Sequence, residues 1–155
     1  MSNSKIALFP GSFDPYTVGH HDILCRALPL FDKIVIAIGI NRNKKPYFPL
    51  EERLGALKEL YKGNDKIEIT TYSTLTTDLA KAIGAQYIIR GVRNIADYEY
   101  ELTIADVNRK LDGIETILFF SKPELSHISS SIVRELHSFG RDITEYLPVK
   151  EKITL

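Results

Sequence analysis

Short runs of β-branched and aromatic residues recur along the chain, and each is followed by a stretch in which the apolar positions have helical spacing. Nearly continuous apolar runs of about four to eight residues are typical of strands that are buried on both faces. The pattern predicts five strands, KIALF at 5–9, KIVIAIGI at 33–40, KIEITTY at 66–72, QYIIRG at 86–91 and ETILFF at 115–120.

The segments that follow these strands carry the signals of amphipathic helices. Gly63, Gly84 and Gly140 come after the last apolar positions of three segments, where helices often close in a left-handed conformation, and Pro49 precedes another as a start signal. The predicted helices are 20–31, 50–63, 77–84, 95–111 and 130–140.

Strands and helices alternate without interruption, which favours right-handed crossovers and a parallel sheet with helices on both faces. The length of 155 residues suits one domain. The predicted fold is therefore α/β: a Rossmann-like, doubly wound, five-stranded parallel sheet in a single domain over residues 1–155.

Unusual polar sequences follow four of the predicted strands. In open parallel sheets, ligands bind at the carboxyl ends of the strands, where the connecting loops converge. The four loops read PGSFDPYTVGHH after the first strand, NRNKKP after the second, RGVRN after the fourth and SKPELSHISSS after the fifth. We expect them to meet at one edge of the sheet.

These loops carry groups that bind anions. Gly11 and Gly19 allow close approach of backbone amides near a helix start, and Ser12 adds a hydroxyl. A histidine at the helix opening and arginines spaced three apart are donors suited to phosphate oxygens. The candidate donors are His20, Arg90 and Arg93, with either Lys44 or Lys45 as a mobile point charge.

Each motif also has an ordinary structural explanation. A Gly-Ser-Phe-Asp-Pro turn alone is more often a tight strand exit, an Arg-x-x-Arg pair is usually a solvated face, and Ser129 is a natural helix cap. We expect His21, His127 and His137 to be packed or solvated rather than catalytic. The coincidence of four such loops at one predicted edge favours a phosphate-binding site.

Composition narrows the class of partner. Lys plus Arg and Asp plus Glu each total 20, so the formal charge is zero and bulk electrostatics predict neither a nucleic-acid partner nor a membrane partner. Cys25 is the single cysteine, and no zinc-like spacing occurs. With a short polar start, MSNSK, and no long apolar run, we expect a soluble cytoplasmic protein.

Three motifs together carry a family resemblance: GSFDPYTVGHHDI, RGVRNIADYEYE and ISSSIVRE. In this order and approximate spacing they resemble the bacterial phosphopantetheine adenylyltransferases of the nucleotidylyltransferase superfamily. TVGH at 17–20 is similar to the superfamily's (T/H)xGH signature. The resemblance extends from Lys5 to about Pro148 and implies the nucleotidylyltransferase fold.

The resemblance implies a reversible transfer in which the phosphate of 4'-phosphopantetheine attacks the α-phosphorus of ATP. The products would be dephospho-coenzyme A and pyrophosphate, with Mg²⁺ present and held mainly by the ATP phosphates. A phosphate monoester is already an anionic nucleophile, so alignment and charge stabilisation can supply the catalysis. The resemblance also implies a homohexamer and feedback inhibition by coenzyme A.

Roles follow from the matched motif positions. His20 is implied as transition-state stabiliser, assisted by the cations Lys44 and Arg93, with Lys45 as the alternative to Lys44. The implied substrate contacts are Ser12, Lys44, Thr76 and Arg90. The implied ATP contacts are Ser12, Phe13, His20, Gly91, Val92, Arg93, Glu101, Leu125, Ser126, His127, Ile128, Ser129, Ser130 and Ser131.

The chain departs from the family pattern at three places. Ser12 stands where threonine is common, Leu125 and His127 stand where aromatic residues are common, and the C-terminus VKEKITL is shorter than in many members. A cytidylyltransferase for an alcohol phosphate is the nearest rival function, against which ELSHISSS argues because those enzymes typically carry RTxGIST. A non-catalytic nucleotide sensor is the rival of a different class.

One stripe of the long predicted helix has two interpretations. Tyr98, Leu102 and Ala105 lie on the same face at helical spacing. They could pack in the core or form an interface between subunits. The sequence alone does not distinguish the two.

Overall fold

The computed structural model describes residues 3–150 and contains a five-stranded sheet in which all pairings are parallel. The sheet order is β3-β2-β1-β4-β5. This architecture confirms the predicted fold class. The strands are β1 Ile6–Gly11, β2 Lys33–Gly39, β3 Ile67–Tyr72, β4 Tyr87–Val92 and β5 Glu115–Phe120.

A helix follows each strand. The bounds lie within a few residues of those predicted, because the apolar periodicity that defines each segment is the same one that packs it on the sheet. The helices are α1 Val18–Ala27, α2 Leu50–Leu60, α3 Thr76–Ala82, α4 Ile95–Asp112 and α5 Ser130–Ser138.

The central strands are apolar on both sides because both faces of the sheet are covered. Alternate residues of β1 point to opposite faces: Ala7 and Phe9 pack in one buried cluster, and Leu8 packs in the other. In β2, Ile34–Ile38 is at most 2% exposed along its whole length. This explains why the strands read as continuous rather than alternating apolar runs.

The predicted helix ends are confirmed at the backbone level. Gly63, Gly84 and Gly140 have φ values of 90°, 71° and 76°, in the left-handed region that favours glycine. Ser129 caps α5, since its hydroxyl accepts a hydrogen bond from the Ile132 amide at 3.2 Å. Pro49 is the N-cap of α2.

The stripe on α4 divides between the two interpretations. Ala105 is 8% exposed and packs inward, whereas Tyr98 and Leu102 are 44% and 43% exposed.

None of the helices between residues 3 and 150 combines the length and apolar character that crossing a membrane requires. The residues of MSNSK before Asn3 and the end of VKEKITL after Lys150 lie outside the described part of the chain.

The sheet opens at the point where its strand order reverses. β1 pairs with β4 only at Ala7 and Leu8, opposite Tyr87 and Ile88. Beyond that point β1 contains Pro10, which has no N–H to donate. The carboxyl ends of β1 and β4 therefore diverge, and this is the position at which doubly wound sheets bind ligands.

Candidate active site

Two adjoining cavities lie above the diverging ends of β1 and β4. The first, of about 370 Å³, is enclosed by the turn after β1, the turn after β4 and the start of α5. The second, of about 390 Å³, lies toward β3 and α4. Both are lined by Pro10, Gly11, Ser12, Arg90, Tyr100 and Glu101.

Many of the predicted site residues converge on these cavities. The first cavity is lined by Ser12, Phe13, His20, Arg90, Gly91, Arg93, Glu101, Ile128, Ser129, Ser130 and Ser131. The second is lined by Ser12, Thr76, Arg90 and Glu101. The loop after β2 contributes Ile40 and Asn41 to the second cavity. The loops after β1, β2, β4 and β5 thus meet at one edge of the sheet, as the sequence predicts.

The turn after β1 is fixed by side chains from other elements. Arg53 of α2 donates through Nη1 to the Ser12 carbonyl at 2.6 Å, and Arg134 of α5 donates to the Asp14 carbonyl at 2.8 Å. Phe13 has a φ of 45°, which a residue other than glycine rarely adopts, and its ring is buried. A Cβ on Gly11 would lie 3.0 Å from that ring, so a side chain there would require the buried ring to shift by a few tenths of an ångström.

His20 and Thr17 form a reciprocal cap at the N-terminus of α1. The His20 amide donates to Thr17 Oγ1 at 3.4 Å, and the Thr17 amide donates to His20 Nδ1 at 3.0 Å. This is the capping-box arrangement with histidine in place of glutamate. Because an amide N–H can only donate, Nδ1 is the acceptor, and the neutral ring carries its proton on Nε2.

The environment of His20 keeps the imidazole neutral. Burial of the ring lowers its pKa from 6.5 to about 3, and the positive charges of Arg90 and Arg93 act in the same direction. Nε2–H is therefore a hydrogen-bond donor at neutral pH. A neutral donor beside two arginines suits the stabilisation of anionic oxygens.

Arg90 is held by the protein as well as exposed to the cavities. Its Nε and Nη2 donate to Glu101 Oε1 at 2.9 and 2.7 Å, and its Nη1 donates to the Pro10 carbonyl at 2.7 Å. Glu101 is 5% exposed, so the pair is largely shielded from solvent on the carboxylate side. Glu101 thus orients the Arg90 side chain.

Arg93 is held less firmly than Arg90, because its partner carboxylate is more exposed to solvent. It donates to Asp97 Oδ2 through its amide and Nε, at 3.1 and 3.0 Å, in an exposed pair one helical turn apart. Gly91 lies between the two arginines, and a Cβ there would overlap the side chain of Ile23. Packing of α1 on β4 therefore gives Gly91 a structural requirement besides its place in the cavity lining.

The start of α5 joins the turn after β1. Ser130 donates to the Pro15 carbonyl at 2.8 Å, and Arg134 links the Asp14 carbonyl to Ser131 Oγ, the latter at 3.1 Å. The N-terminal amides and hydroxyls of α5 therefore border the first cavity at a fixed place. Helix N-termini favour anions, so this wall also suits phosphate.

The second cavity mixes apolar and polar groups. Thr76 Oγ1 and Tyr72 OH lie 3.1 Å apart, and Ile88, Ile104 and Asn108 complete nearby parts of the lining. Thr116 Oγ1 also faces this group of residues; it is buried and has no hydrogen-bond partner among the described residues. Such a lining suits a long ligand with amide groups.

Six predicted or alternative contacts lie outside the cavity linings. Lys44 and Lys45 occupy an exposed loop after β2, and Val92 is 3% exposed within the sheet. In the loop after β5, Ser121 and the residues from Ile128 onward line the first cavity, but Leu125, Ser126 and His127 do not. The structure brings the other predicted contacts together without these positions, whose roles stay predictions. They are Lys44, Lys45, Val92, Leu125, Ser126 and His127.

Sequence reasoning missed several residues that shape the site. Arg134 lies one helical turn beyond Ser131 and so shares its face, a spacing that was available as a signal. Arg53 and Asp14 are only 9% and 7% exposed, and no local sequence pattern predicts the burial of these polar residues. Tyr100 and Asn108 lie on α4, where the predicted stripe drew attention to apolar positions instead.

The carboxylates at the site are already paired. Asp97 and Glu101 accept hydrogen bonds from Arg93 and Arg90. Between residues 3 and 150, no group of three His, Cys, Asp or Glu side chains is arranged to hold a metal ion.

Comparison with known proteins places the chain among nucleotide-transferring enzymes. The Cytidylyltransferase-like family matches residues 8–136. A curated phosphopantetheine adenylyltransferase of Phocaeicola vulgatus is 53% identical over 147 residues, covering 95% of this chain and 97% of the relative. One from Porphyromonas gingivalis is 50% identical over 144 residues, covering 93% and 94%.

Solved structures show the same fold at much lower identity. A bifunctional NMN adenylyltransferase/ADP ribose pyrophosphatase from Francisella tularensis superposes with a TM-score of 0.72 at 16% identity. The match covers 96% of this chain and 46% of that one. The sheet and its helices are thus shared well beyond the range of close sequence similarity.

Proposed function

The chain belongs to the phosphopantetheine adenylyltransferases, within the Cytidylyltransferase-like family, and we propose that it transfers the adenylyl group of ATP to 4'-phosphopantetheine. The products are dephospho-coenzyme A and pyrophosphate, and the transfer is reversible. The observation that carries the proposal is His20, a neutral imidazole fixed by Thr17 beside Arg90 and the start of α5.

The reaction is a direct displacement at the α-phosphorus of ATP. An oxygen of the acceptor phosphate forms the new bond, the bond to the bridging oxygen of the β-phosphate breaks, and pyrophosphate leaves with the electron pair. No side chain needs to remove a proton, since the acceptor oxygen is already anionic. This agrees with a site whose histidine is kept neutral.

His20 acts as a donor to the α-phosphoryl oxygens. Its Nε2–H is preorganised because Thr17 binds the other ring nitrogen. A donor fixed before the reaction stabilises developing charge without having to reorient. Arg93, and Lys44 from the loop after β2, add positive charge around the same oxygens in this proposal.

The two cavities hold the two substrates. We assign ATP to the first, with its phosphates toward the start of α5 and Ser12, and the pantetheine arm to the second, beside Thr76. Arg90 and Ser12 line both cavities, which supports their contact with the acceptor phosphate at the junction. ATP and the acceptor would thus approach each other across the end of β1.

Mg²⁺ enters this proposal with ATP. Since Asp97 and Glu101 are paired with arginines, the phosphates of ATP would be its main ligands. Mg²⁺ bound there would neutralise charge on the pyrophosphate leaving group. The residues of the chain bind and align the nucleotide around it.

Assembly, regulation and location belong to the same proposal. Exposed apolar side chains along α4, including Tyr98, Leu102 and Val107, support burial in a homohexamer. Coenzyme A contains the pantetheine arm of the product and would compete for the second cavity as a feedback inhibitor. A cytoplasmic location fits an enzyme that draws on the ATP pool of the cell.

Pyrophosphate release by the purified protein tests the function directly. We expect release with ATP, Mg²⁺ and 4'-phosphopantetheine, and none when CTP replaces ATP or glycerol 3-phosphate replaces the acceptor. Release with CTP and an alcohol phosphate would move the chain to the cytidylyltransferases. ATP binding without release from any pair would indicate a nucleotide sensor and refute the transferase proposal.

A further inference from the structure

We propose that Tyr16, Tyr61 and His21 form a positioning network that fixes the ring plane of His20 during adenylyl transfer. The inference rests on the proposed function and concerns residues outside the catalytic contacts. It assigns a role to His21 and to two buried tyrosine hydroxyls that the reaction itself does not use.

The first part of the network is a ring stack. The Tyr16 ring lies on the His20 imidazole with 5.3 Å between centroids and an interplanar angle of 21°. Phe13 meets the same imidazole edge-on at 5.1 Å and 89°. The stack controls rotation of the imidazole out of its plane, whereas the hydrogen bond from Thr17 fixes one point on its edge.

The second part is a chain of hydrogen bonds that holds Tyr16 in the stack. Tyr16 OH and Tyr61 OH lie 2.8 Å apart, and Tyr61 OH lies 2.7 Å from His21 Nδ1. His21 Nε2 in turn lies 3.3 Å from Cys25 Sγ. The hydroxyl of the stacked tyrosine is thereby tied to the end of α2 and back to α1.

Neighbouring histidines on α1 therefore do different things. His20 lines the cavity, while His21 stacks on Tyr61 with 5.8 Å between centroids and an angle of 26°. Each end of the network begins on α1, so a shift of α1 would be felt at both His20 and His21. The network is closed through residues that are 45 and 40 positions apart in the chain.

The network holds position and does not transfer protons. Burial raises the pKa of Tyr16 and of Tyr61 well above their usual value, and burial lowers the pKa of His21. All three groups are therefore uncharged near neutral pH, and each hydroxyl keeps its proton. Removing the Tyr16 hydroxyl removes one link and removing the Tyr61 hydroxyl removes two, and neither change alters the charge of the site.

The test removes single hydroxyls and keeps every ring. We expect Tyr61→Phe and Tyr16→Phe each to lower kcat about fivefold, with KM for ATP nearly unchanged, since both lose the buried hydrogen bond that holds Tyr16 in the stack. The double variant should lose no more than about the larger single loss, because both changes break the same chain. Tyr87→Phe, at the opposite end of β4 and packed on Phe31, is the matched control.

The His20→Ala background separates positioning from general damage. If Tyr61 acts through His20, then Tyr61→Phe should not change the residual rate of His20→Ala. An equal fivefold loss in both backgrounds would show a merely structural role and overturn the proposal. So would an unchanged kcat in Tyr61→Phe and Tyr16→Phe.

A readout without substrate keeps the test independent of the proposed function. In ¹⁵N-labelled protein, the ring nitrogen signals of His20 should shift in Tyr61→Phe and Tyr16→Phe but not in Tyr87→Phe. Unchanged His20 signals would refute the network even in an active enzyme. A shift in a protein that releases no pyrophosphate would support the network and refute the adenylyltransferase proposal alone.

Discussion

The turn after β1, residues 12–17, and the loop after β2, residues 40–49, leave adjacent strands at the same edge of the sheet but are held differently. Two helices bind the backbone of the turn, α2 through Arg53 and α5 through Ser130 and Arg134. In the loop, residues 40–47 are exposed throughout. Asp14 of the turn accepts hydrogen bonds from the backbone amides of Tyr47 and Phe48, near the end of the loop.

The difference separates two ways of supplying charge stabilisation. The turn presents backbone groups, and the start of α1 beside it presents His20, already oriented, so they need no rearrangement in the transition state. The loop presents Lys44 on a flexible stem in solvent, where its charge is screened and its position is not fixed. We therefore expect the turn to dominate the rate and the loop to add a smaller, salt-sensitive part.

The largest effect should come from removing the fixed donor. We expect His20→Ala to lower kcat by about 10²- to 10³-fold, as for loss of one preorganised donor, while the Kd for ATP changes little. Steady-state kinetics and ATP titration measure the two. Equal losses in kcat and ATP affinity would mean that His20 holds the ground state.

Removing the loop cation should have the next largest effect. We expect Lys44→Ala to lower kcat/KM about 50-fold and Lys45→Ala only a few-fold, since one charge-assisted contact is lost. The Lys44 effect should shrink as salt rises, whereas the His20 effect should not. The opposite ranking of the two lysines would assign the role to Lys45.

Arg90 stands between these cases, since Glu101 orients it but it lines both cavities. We expect Arg90→Ala to raise KM for 4'-phosphopantetheine about 20-fold, with a smaller change for ATP. Glu101→Gln, which keeps the shape but weakens the pairing, should give a smaller change of the same kind. An effect confined to ATP would contradict the assignment.

The same contrast explains what the sequence could predict. Apolar periodicity predicted the strands and helices within a few residues, and the rule for parallel sheets predicted correctly that four loops meet at one edge. Helix α1 begins at Val18 and not at His20, because Thr17 and His20 form a capping box that normally contains glutamate or glutamine. The spacing of a capping box is present in the sequence, but histidine at its last position is not the residue type by which the motif is recognised.

Contacts between distant residues are what the sequence could not supply. The Tyr16–Tyr61 and Arg53–Ser12 contacts join residues 45 and 41 positions apart, and no local pattern encodes such pairings. The position of Lys44 relative to the cavities depends on loop conformation, which neither composition nor periodicity determines. The family resemblance implies Lys44 as the contact. Because the loop is exposed, the contact of Lys44 with a substrate phosphate stays a prediction.

Breaking the link between turn and loop should have a modest effect. Asp14, at 7% exposure, accepts from the Tyr47 and Phe48 amides at 2.7 and 2.8 Å. In Asp14→Asn one amide would face another donor, so we expect a loss of about 1–3 kcal/mol in the free energy of unfolding. The rate should fall about threefold, through Lys44.

Denaturant titration measures the stability change, and the exposed Asp65→Asn is the matched control. If the loop acts through this link, Asp14→Asn combined with Lys44→Ala should lose little more rate than Lys44→Ala alone. Fully multiplicative losses would show that the turn and the loop contribute independently.

The smallest expected effect is that of pH on the rate above neutrality. With the pKa of His20 lowered to about 3, no histidine in the reaction titrates between pH 7 and 9, and we expect kcat to vary less than about twofold. Below about pH 6 the acceptor phosphate gains a proton and the rate should fall. A rising limb near pH 7.5 would instead indicate a general base.

The same pKa has a consequence for stability with a definite sign. Because the unfolded chain has a His20 pKa near 6.5 and the folded chain one of about 3, the unfolded state binds more protons between these values. The free energy of unfolding should therefore fall as pH decreases through this window. His20→Gln lacks the contribution, so between pH 7 and 4.5 it should lose less stability than the unmodified protein. Equal losses would mean that His20 titrates normally and that its neutral state is not imposed by the turn.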